Sequence, residues 1–314
     1  MFKKFVLPAL ISLVSTAVYY YFALPAFNIK SSAFWGLILF FIIVYVVFML
    51  IFSGSSLIAS MVKGKNPAAD GHIVFSDKPK FLSSKAFKII LASVAGVAVI
   101  VASFIFVSSS QFFNASKYQK MLSVTESSFK EDIAEMPFSQ IPEVDRGTAE
   151  RLGSRKIGEV VELVSQFDVS SYYTQINYQN VPTRVSPLQY ADLIKWFTNR
   201  EEGIPYYVQI DMATQDTQLV KLPEGMKYSP SECFSRDLMR HVRFAYPTKM
   251  IDSVSFEIDE QGHPFWIVSC YDYTIGFLGG HDITEIVTVD AVSGEMKNYK
   301  VKDVPQWVDC VYTA

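Results

Sequence analysis

Charge is missing from three long stretches of this chain of 314 residues. Phe5 to Phe27, Ser31 to Val62 and Ile89 to Ser116 contain no Asp, Glu, Lys, Arg or His. About 20 apolar residues span the hydrocarbon core of a bilayer as a helix, so each run is long enough to cross. Because no ionisable group lies inside a run, a proton relay, an ion site or a gating charge within the spans is excluded. Cysteine is also scarce. Cys233, Cys270 and Cys310 form an odd set with no CxxC or Cys/His zinc spacing, so a disulfide framework does not organise the fold. One pair could bridge in an oxidising compartment, but buried unpaired thiols are the expectation. Four histidines, none paired at helical spacing, leave no HExxH site. There is no GxSxG elbow and no GxGxxG or Walker A loop; "GSRKIG" at 153–158 and "GFLGG" at 276–280 fit neither pattern. No cofactor is therefore expected.

What the chain has instead is apolar residues, half of the total, and a mean hydropathy of +0.21. The sequence predicts a membrane domain over 1–115 with three transmembrane helices at about 5–27, 33–53 and 88–109. "ALPAF" after the first run offers no small-x-small cleavage site, so that run reads as an uncleaved anchor rather than a signal peptide. Residues 1–115 hold nine lysines against two aspartates, a net of +7; the 19 basic and 29 acidic residues that follow leave a net of −10. Six of the lysines lie between spans two and three. Lysine-rich short loops stay in the cytoplasm, which places the N-terminus inside and everything after Val107 outside. Tyr19, Tyr20, Tyr21 and Trp35 gather at the outer turn, as interfacial aromatics do. Gly36, Ala92, Ala95, Gly96 and Ala98 would permit close helix contacts with another membrane protein. The partners are then the lipid bilayer and an envelope protein. An acidic outer region argues against nucleic acid.

That outer region reads as α+β. Residues 116–140 are expected to form a helical stalk with an apolar stripe of Tyr118, Leu122, Phe129 and Ile133, broken by "PFSQIPEVD". A first α+β unit over 141–224 opens with a helix capped by Asp145, continues through the strand "YYTQINY", and is expected to place Ser186-Pro187 at the cap of a second helix ending at Gly203. A second unit over 225–314 starts with Ser229-Pro230 in the same role, then two strands about a turn at 260–262. The closing hairpins "VQIDMATQDTQLVKL" (208–222) and "VTVDAVSGEMKNYKV" (287–301) align with Asp211 and Asp290 at one offset, which suggests tandem units. Both aspartates are expected to hold the hairpin ends through backbone hydrogen bonds.

The pattern "FEIDEQGHPFWIV … EIVTVDAVSGEMKNY" resembles PepSY-type domains, in which a helix packs on an antiparallel sheet. The match covers about 250–301; in the first unit Thr214-Gln215-Asp216 stands where the turn glycine belongs. The layout is similar to Gram-positive membrane proteins with a multi-span N-terminus and an outward β-rich region that continues past "VPQWVDCVY", so on this resemblance the chain would be a truncated member. PepSY-like domains are associated with inhibiting or chaperoning secreted peptidases and regulating wall hydrolases. The resemblance thus implies a non-catalytic binding role.

Tyr206, Tyr207, Trp266, Tyr271, Tyr273 and His281 are the expected partner-binding surface, since Tyr and Trp dominate interface hot spots. Two rival readings stay open. One is an accessory subunit of a membrane complex acting through its spans. The other is a surface metal-assisted enzyme centred on His281, where His281, Ile283 and Glu285 would share a strand face and His263 and Asp259 would join. Glu257 and Asp259, at i and i+2 on the polar face of a strand, form a weaker acid/base candidate.

Overall fold

The computed structural model describes residues 5–62, 85–122, 126–128, 135, 137 and 141–312. The lysine-rich loop, Lys3 and Lys4 lie outside the described residues. The chain divides into two compact units, one drawn from Met1–Met121 and Tyr273–Gly280, the other from Leu122–Asp272 and His281–Ala314.

The first unit is helical. Helix α1 (Leu7–Ala23) has Pro8 in its first turn, where the missing N–H leaves no bond unmade, and its C-cap Leu24 turns left-handed at φ 49°. Ser12 returns its hydroxyl to the Pro8 carbonyl at 2.8 Å, which satisfies that polar group on an apolar helix. Helix α2 (Ser32–Val62) packs on α1, with Tyr19 stacked on Phe40 at 4.7 Å. Helix α3 (Lys85–Ser109) is followed after Ser110 by α4 (Gln111–Gln119). At that break the Asn114 amide reaches the carbonyls of Val107, Ser108 and Ser110, which the α-helical ladder no longer serves. Two stretches, Ser32–Phe52 and Ala92–Gln119, are long and apolar enough to cross a membrane; α1, at 17 residues, is shorter. The expected stalk helix ends at Gln119, and residues 126–128 are not helical; Phe129 and Ile133 lie outside the described residues.

Residues 273–280 belong with these helices. Ser109 Oγ accepts the N–H groups of Phe277 and Leu278 at 3.1 and 3.0 Å, and Tyr118 Oη accepts that of Gly280 at 3.1 Å. Gly276 sits at φ +64°, and a Cβ there would lie 2.2 Å from the Ser108 carbonyl oxygen. Only glycine satisfies both conditions.

The second unit is α+β. Asp145 accepts the Thr148 N–H at 2.6 Å and starts α5 (Arg146–Gly158), which buries Ala149, Gly153 and Ile157 at helical spacing. After the single turn α6 (Val161–Val164) come β1 (Phe167–Val169), β2 (Thr174–Tyr178), β3 (Val181–Tyr190), α7 (Leu193–Asn199), β4 (Ile204–Asp211) and β5 (Thr217–Met226). Their sheet runs β1-β3-β4-β5, with β2 also antiparallel to β3. Helix α8 (Leu238–Ala245) then precedes a four-stranded meander of β6 (Met250–Ile258), β7 (Pro264–Ile275), β8 (Gly279–Asp290) and β9 (Met296–Lys300). One continuous core, including Tyr207, Val208, Leu238, Phe256, Trp266 and Val287, joins the two sheets. Tyr207 Oη donates to the Gly262 carbonyl at 3.2 Å, and its ring meets Phe256. On the other face of the meander, Ile267, Ile283 and Ile286 are covered by Val308 and Trp307.

Two expected helix starts are corrected. Ser186-Pro187 lies inside β3, and Asp192 caps α7 by accepting the Ile194 and Lys195 N–H groups at 2.8 and 2.9 Å. Pro187 is tolerated because β2 pairs β3 up to Val185 and β1 only from Leu188, so its absent N–H falls where neither strand needs a donor. Ser229-Pro230 likewise starts no helix; a 3₁₀ turn at Phe234–Arg236 leads to α8, capped by Asp237.

The hairpin alignment is reproduced bond for bond. Asp211 Oδ1 accepts the N–H groups of Ala213 and Thr214 at 2.8 and 3.0 Å, and Asp290 Oδ1 those of Val292 and Ser293 at 2.8 and 3.1 Å. Gln215 takes the left-handed conformation at φ 65° that Gly294 takes at 78°.

Candidate functional site

Two of the six residues expected to form the partner-binding surface are buried. Tyr207 and Trp266 are 1% and 0% exposed, because both faces of β4 and β7 are covered and alternation gives neither ring an outward side. Trp266 donates its indole N–H to the Tyr228 carbonyl at 2.8 Å. Tyr206 packs half-buried against the same core. The Tyr271 ring lies tilted against His281 with centroids 4.1 Å apart, and His281 Nε2 meets Asp252 at 3.3 Å. Tyr273 falls in the helical unit, where its carbonyl accepts the Lys30 ammonium at 3.1 Å.

The groups named for metal chemistry disperse. Glu285 pairs with Lys249 and accepts from Asn298, while His263 sits on Asp290 at 3.0 Å. Among the described residues no group of three or more His, Cys, Asp or Glu side chains is placed to hold a metal. Cys233, Cys270 and Cys310 are free. Glu257 is corrected as well: it is fully buried rather than on a polar face, because Val304–Val311 covers that side of β6 and β7. Its carboxylate accepts the N–H groups of Asp309 and Cys310, each at 2.9 Å. Burial, partly offset by those bonds, pushes its pKa up to about 6.

The surface that does stand out lies on α7, in "DLIKWFTNREEG". Leu193 and Ile194 are each 74% exposed, Phe197 64% and, beside them, Phe234 66%. Together they present on the order of 500 Å² of apolar area, the size of the largest patch on a typical monomer, which is often functional. The patch is held firmly from below. Trp196 Nε1 and Tyr190 Oη donate, each at 2.7 Å, to the two oxygens of Glu232, which is 4% exposed. Burial raises the Glu232 carboxyl above its usual range, against the pull of those two donors and of Arg236. Phe234 takes φ 54°, rare for a non-glycine residue, and its ring lies 6.0 Å from Trp196. Arg236 donates to the Arg200 carbonyl at 2.5 Å, Arg240 to that of Phe234 at 2.6 Å, and the Arg200 guanidinium covers the Phe197 ring at 4.7 Å. A cavity of about 340 Å³ opens next to the patch, walled by Tyr172, Tyr190, Trp196 and Ser231.

None of these residues was singled out by the sequence reading. The signal was present nonetheless: a helix of seven residues with Leu193, Ile194, Trp196 and Phe197 carries more apolar groups than one face can bury. No protein-family model, curated protein or solved structure matches the chain.

Proposed function

We propose that this is a membrane-anchored binding or regulatory protein of the cell envelope, non-catalytic, with α1–α3 as three spans and the α+β region on the extracytoplasmic face. The observation that carries the reading is the exposed Leu193, Ile194, Phe197 and Phe234 surface on a helix pinned through Trp196 to buried Glu232. Exposed aromatic and aliphatic anchors on a rigid base lose little conformational entropy on docking, which is how interface hot spots work. Ser32–Phe52 and Ala92–Gln119 support the anchor, and the charge asymmetry of the sequence supports the orientation. The partner on this reading is another envelope protein, a secreted peptidase or a wall hydrolase. The two helix-preceded antiparallel sheets with matching Asp211 and Asp290 turns are consistent with tandem PepSY-like units.

The test uses the full chain in intact cells. A photo-crosslinking residue at Phe197 should give one discrete adduct with an envelope protein, and Leu193→Ser should abolish it. With the part-exposed Cys233 and Cys310 replaced by serine, a membrane-impermeant maleimide should label a cysteine at Lys221 and not one at Lys78. Labelling only at position 78 would invert the orientation, and a diffuse adduct pattern indifferent to Leu193 would remove the docking role.

A further inference from the structure

A second binding site lies away from α7, between the edges of the two sheets. Strand β2 bonds to β3 on one side only, and β6 to β7 on one side only. The bonds recorded at their free sides fix which residues face outward. Asn177 N–H donates to Asp309 at 2.5 Å, the Gln175 carbonyl accepts the Cys310 thiol at 3.8 Å, and Phe256 N–H donates to Thr174 Oγ1 at 3.2 Å. Backbone groups alternate sides along a strand, so Gln175 on β2 offers its N–H, its carbonyl being taken by Cys310, and Val254 on β6 turns both N–H and C=O to the free side. Both residues wall a cleft of about 650 Å³, with Ser171, Thr174, Ser253 and Ser255 as small polar neighbours.

The edges themselves differ in how they are protected. The outer strand β5 carries Lys221 and Pro223, and β9 carries Lys297 and Lys300, residues that discourage pairing with a further strand. Neither β2 nor β6 has a Lys, Arg or Pro. The chain shows how such an edge is used, since Asp309 and Cys310 already take the outward groups of Asn177 and Gln175.

We infer that the β2–β6 cleft is a docking slot for an extended peptide segment of another protein, held by backbone hydrogen bonds to Gln175 and Val254. Main-chain bonding gives affinity, and the serine-lined walls admit small or β-branched side chains at alternate positions. The slot is independent of the α7 surface and of the function proposed for it.

The probe is a set of dodecapeptides selected from a random displayed library on the detergent-solubilised full chain and measured by fluorescence anisotropy. Gln175→Pro and Val254→Pro each delete an outward N–H and no ladder bond, so peptide affinity should fall tenfold or more in both; the melting curve should be unchanged for exposed Gln175→Pro, whereas Val254→Pro also loses its side chain's core contacts. Phe197→Ser should leave that affinity intact, which separates the slot from the α7 surface. Peptides whose affinity ignores both proline variants would overturn the inference, as would a library that yields no binder. A photo-crosslinker at Ser255 that captures only a second copy of this chain would also overturn it, in favour of strand exchange.

Discussion

Glu257 makes the stability of the α+β unit depend on acid in a direction opposite to most carboxylates. The side chain is 0% exposed, accepts two backbone N–H groups from Asp309 and Cys310, and titrates near 6 against 4.5 for a free glutamate. A carboxyl whose folded pKa is raised favours the folded state when protonated. Its contribution is therefore complete below about pH 4.5 and is lost as pH climbs through 6. The shift corresponds to roughly 2 kcal/mol, at about 1.4 kcal/mol per unit. Glu257→Gln keeps the shape and removes the titration. Urea midpoints for the detergent-solubilised chain, followed by tryptophan fluorescence between pH 4.5 and 7, should show the wild type losing that much more stability than Glu257→Gln over this window. Asp309, whose carboxyl is also raised by burial, remains in both proteins and cancels in the difference. Parallel curves for the two proteins would refute the argument, and a wild type that gains stability relative to the variant as pH rises would reverse its sign.

Three further outcomes follow from single contacts. Gly294→Ala meets both a φ of +78° and a Cβ position 2.4 Å from the Tyr228 ring, so it should cost about 3 kcal/mol by urea titration. Gln215→Gly, at the matching turn, should stabilise by about 0.5–1 kcal/mol, the relief of a left-handed side chain outweighing the extra freedom of the unfolded chain. Gly153→Ala would set a Cβ 2.1 Å from Tyr173 Oη and should destabilise by about 1–3 kcal/mol; because that hydroxyl is the atom the new Cβ would meet, Tyr173→Phe in the same chain should restore much of the loss.

Features that depend on near neighbours were legible in the sequence. The Asp145 cap, the turn at Gly262 and the paired Asp211 and Asp290 hairpins each need only a few residues of chain, and each appears as read. Ser186-Pro187 and Ser229-Pro230 misled because a Ser-Pro pair satisfies two local rules at once, cap and first turn. What decided Pro187 was the gap between β1 and β2 along β3, a fact of strand pairing that no local window contains. Tyr207 and Trp266 misled for the same reason. Alternation says which rings share a side, but only the second layer decides that both sides of β4 and β7 are covered. The α7 surface was hidden by the misplaced helix start, since a helix drawn from 186 to 203 distributes Leu193, Ile194 and Phe197 over a longer and more ordinary amphipathic face. Glu257 was read as a solvated strand charge because the segment that buries it lies 52 residues further along the chain.

The bond from Asn177 to Asp309 also sets a timetable for synthesis. The two residues are 132 positions apart. At about 5–20 residues per second, β2 leaves the ribosome roughly 7–26 seconds before the residue that caps its edge exists. During that interval the first sheet can pair internally but keeps an open, unprotected margin, and contacts of such long range form slowly even once both ends are present. Released chains truncated before residue 309 should therefore be far more susceptible to strand-mediated aggregation than the full chain.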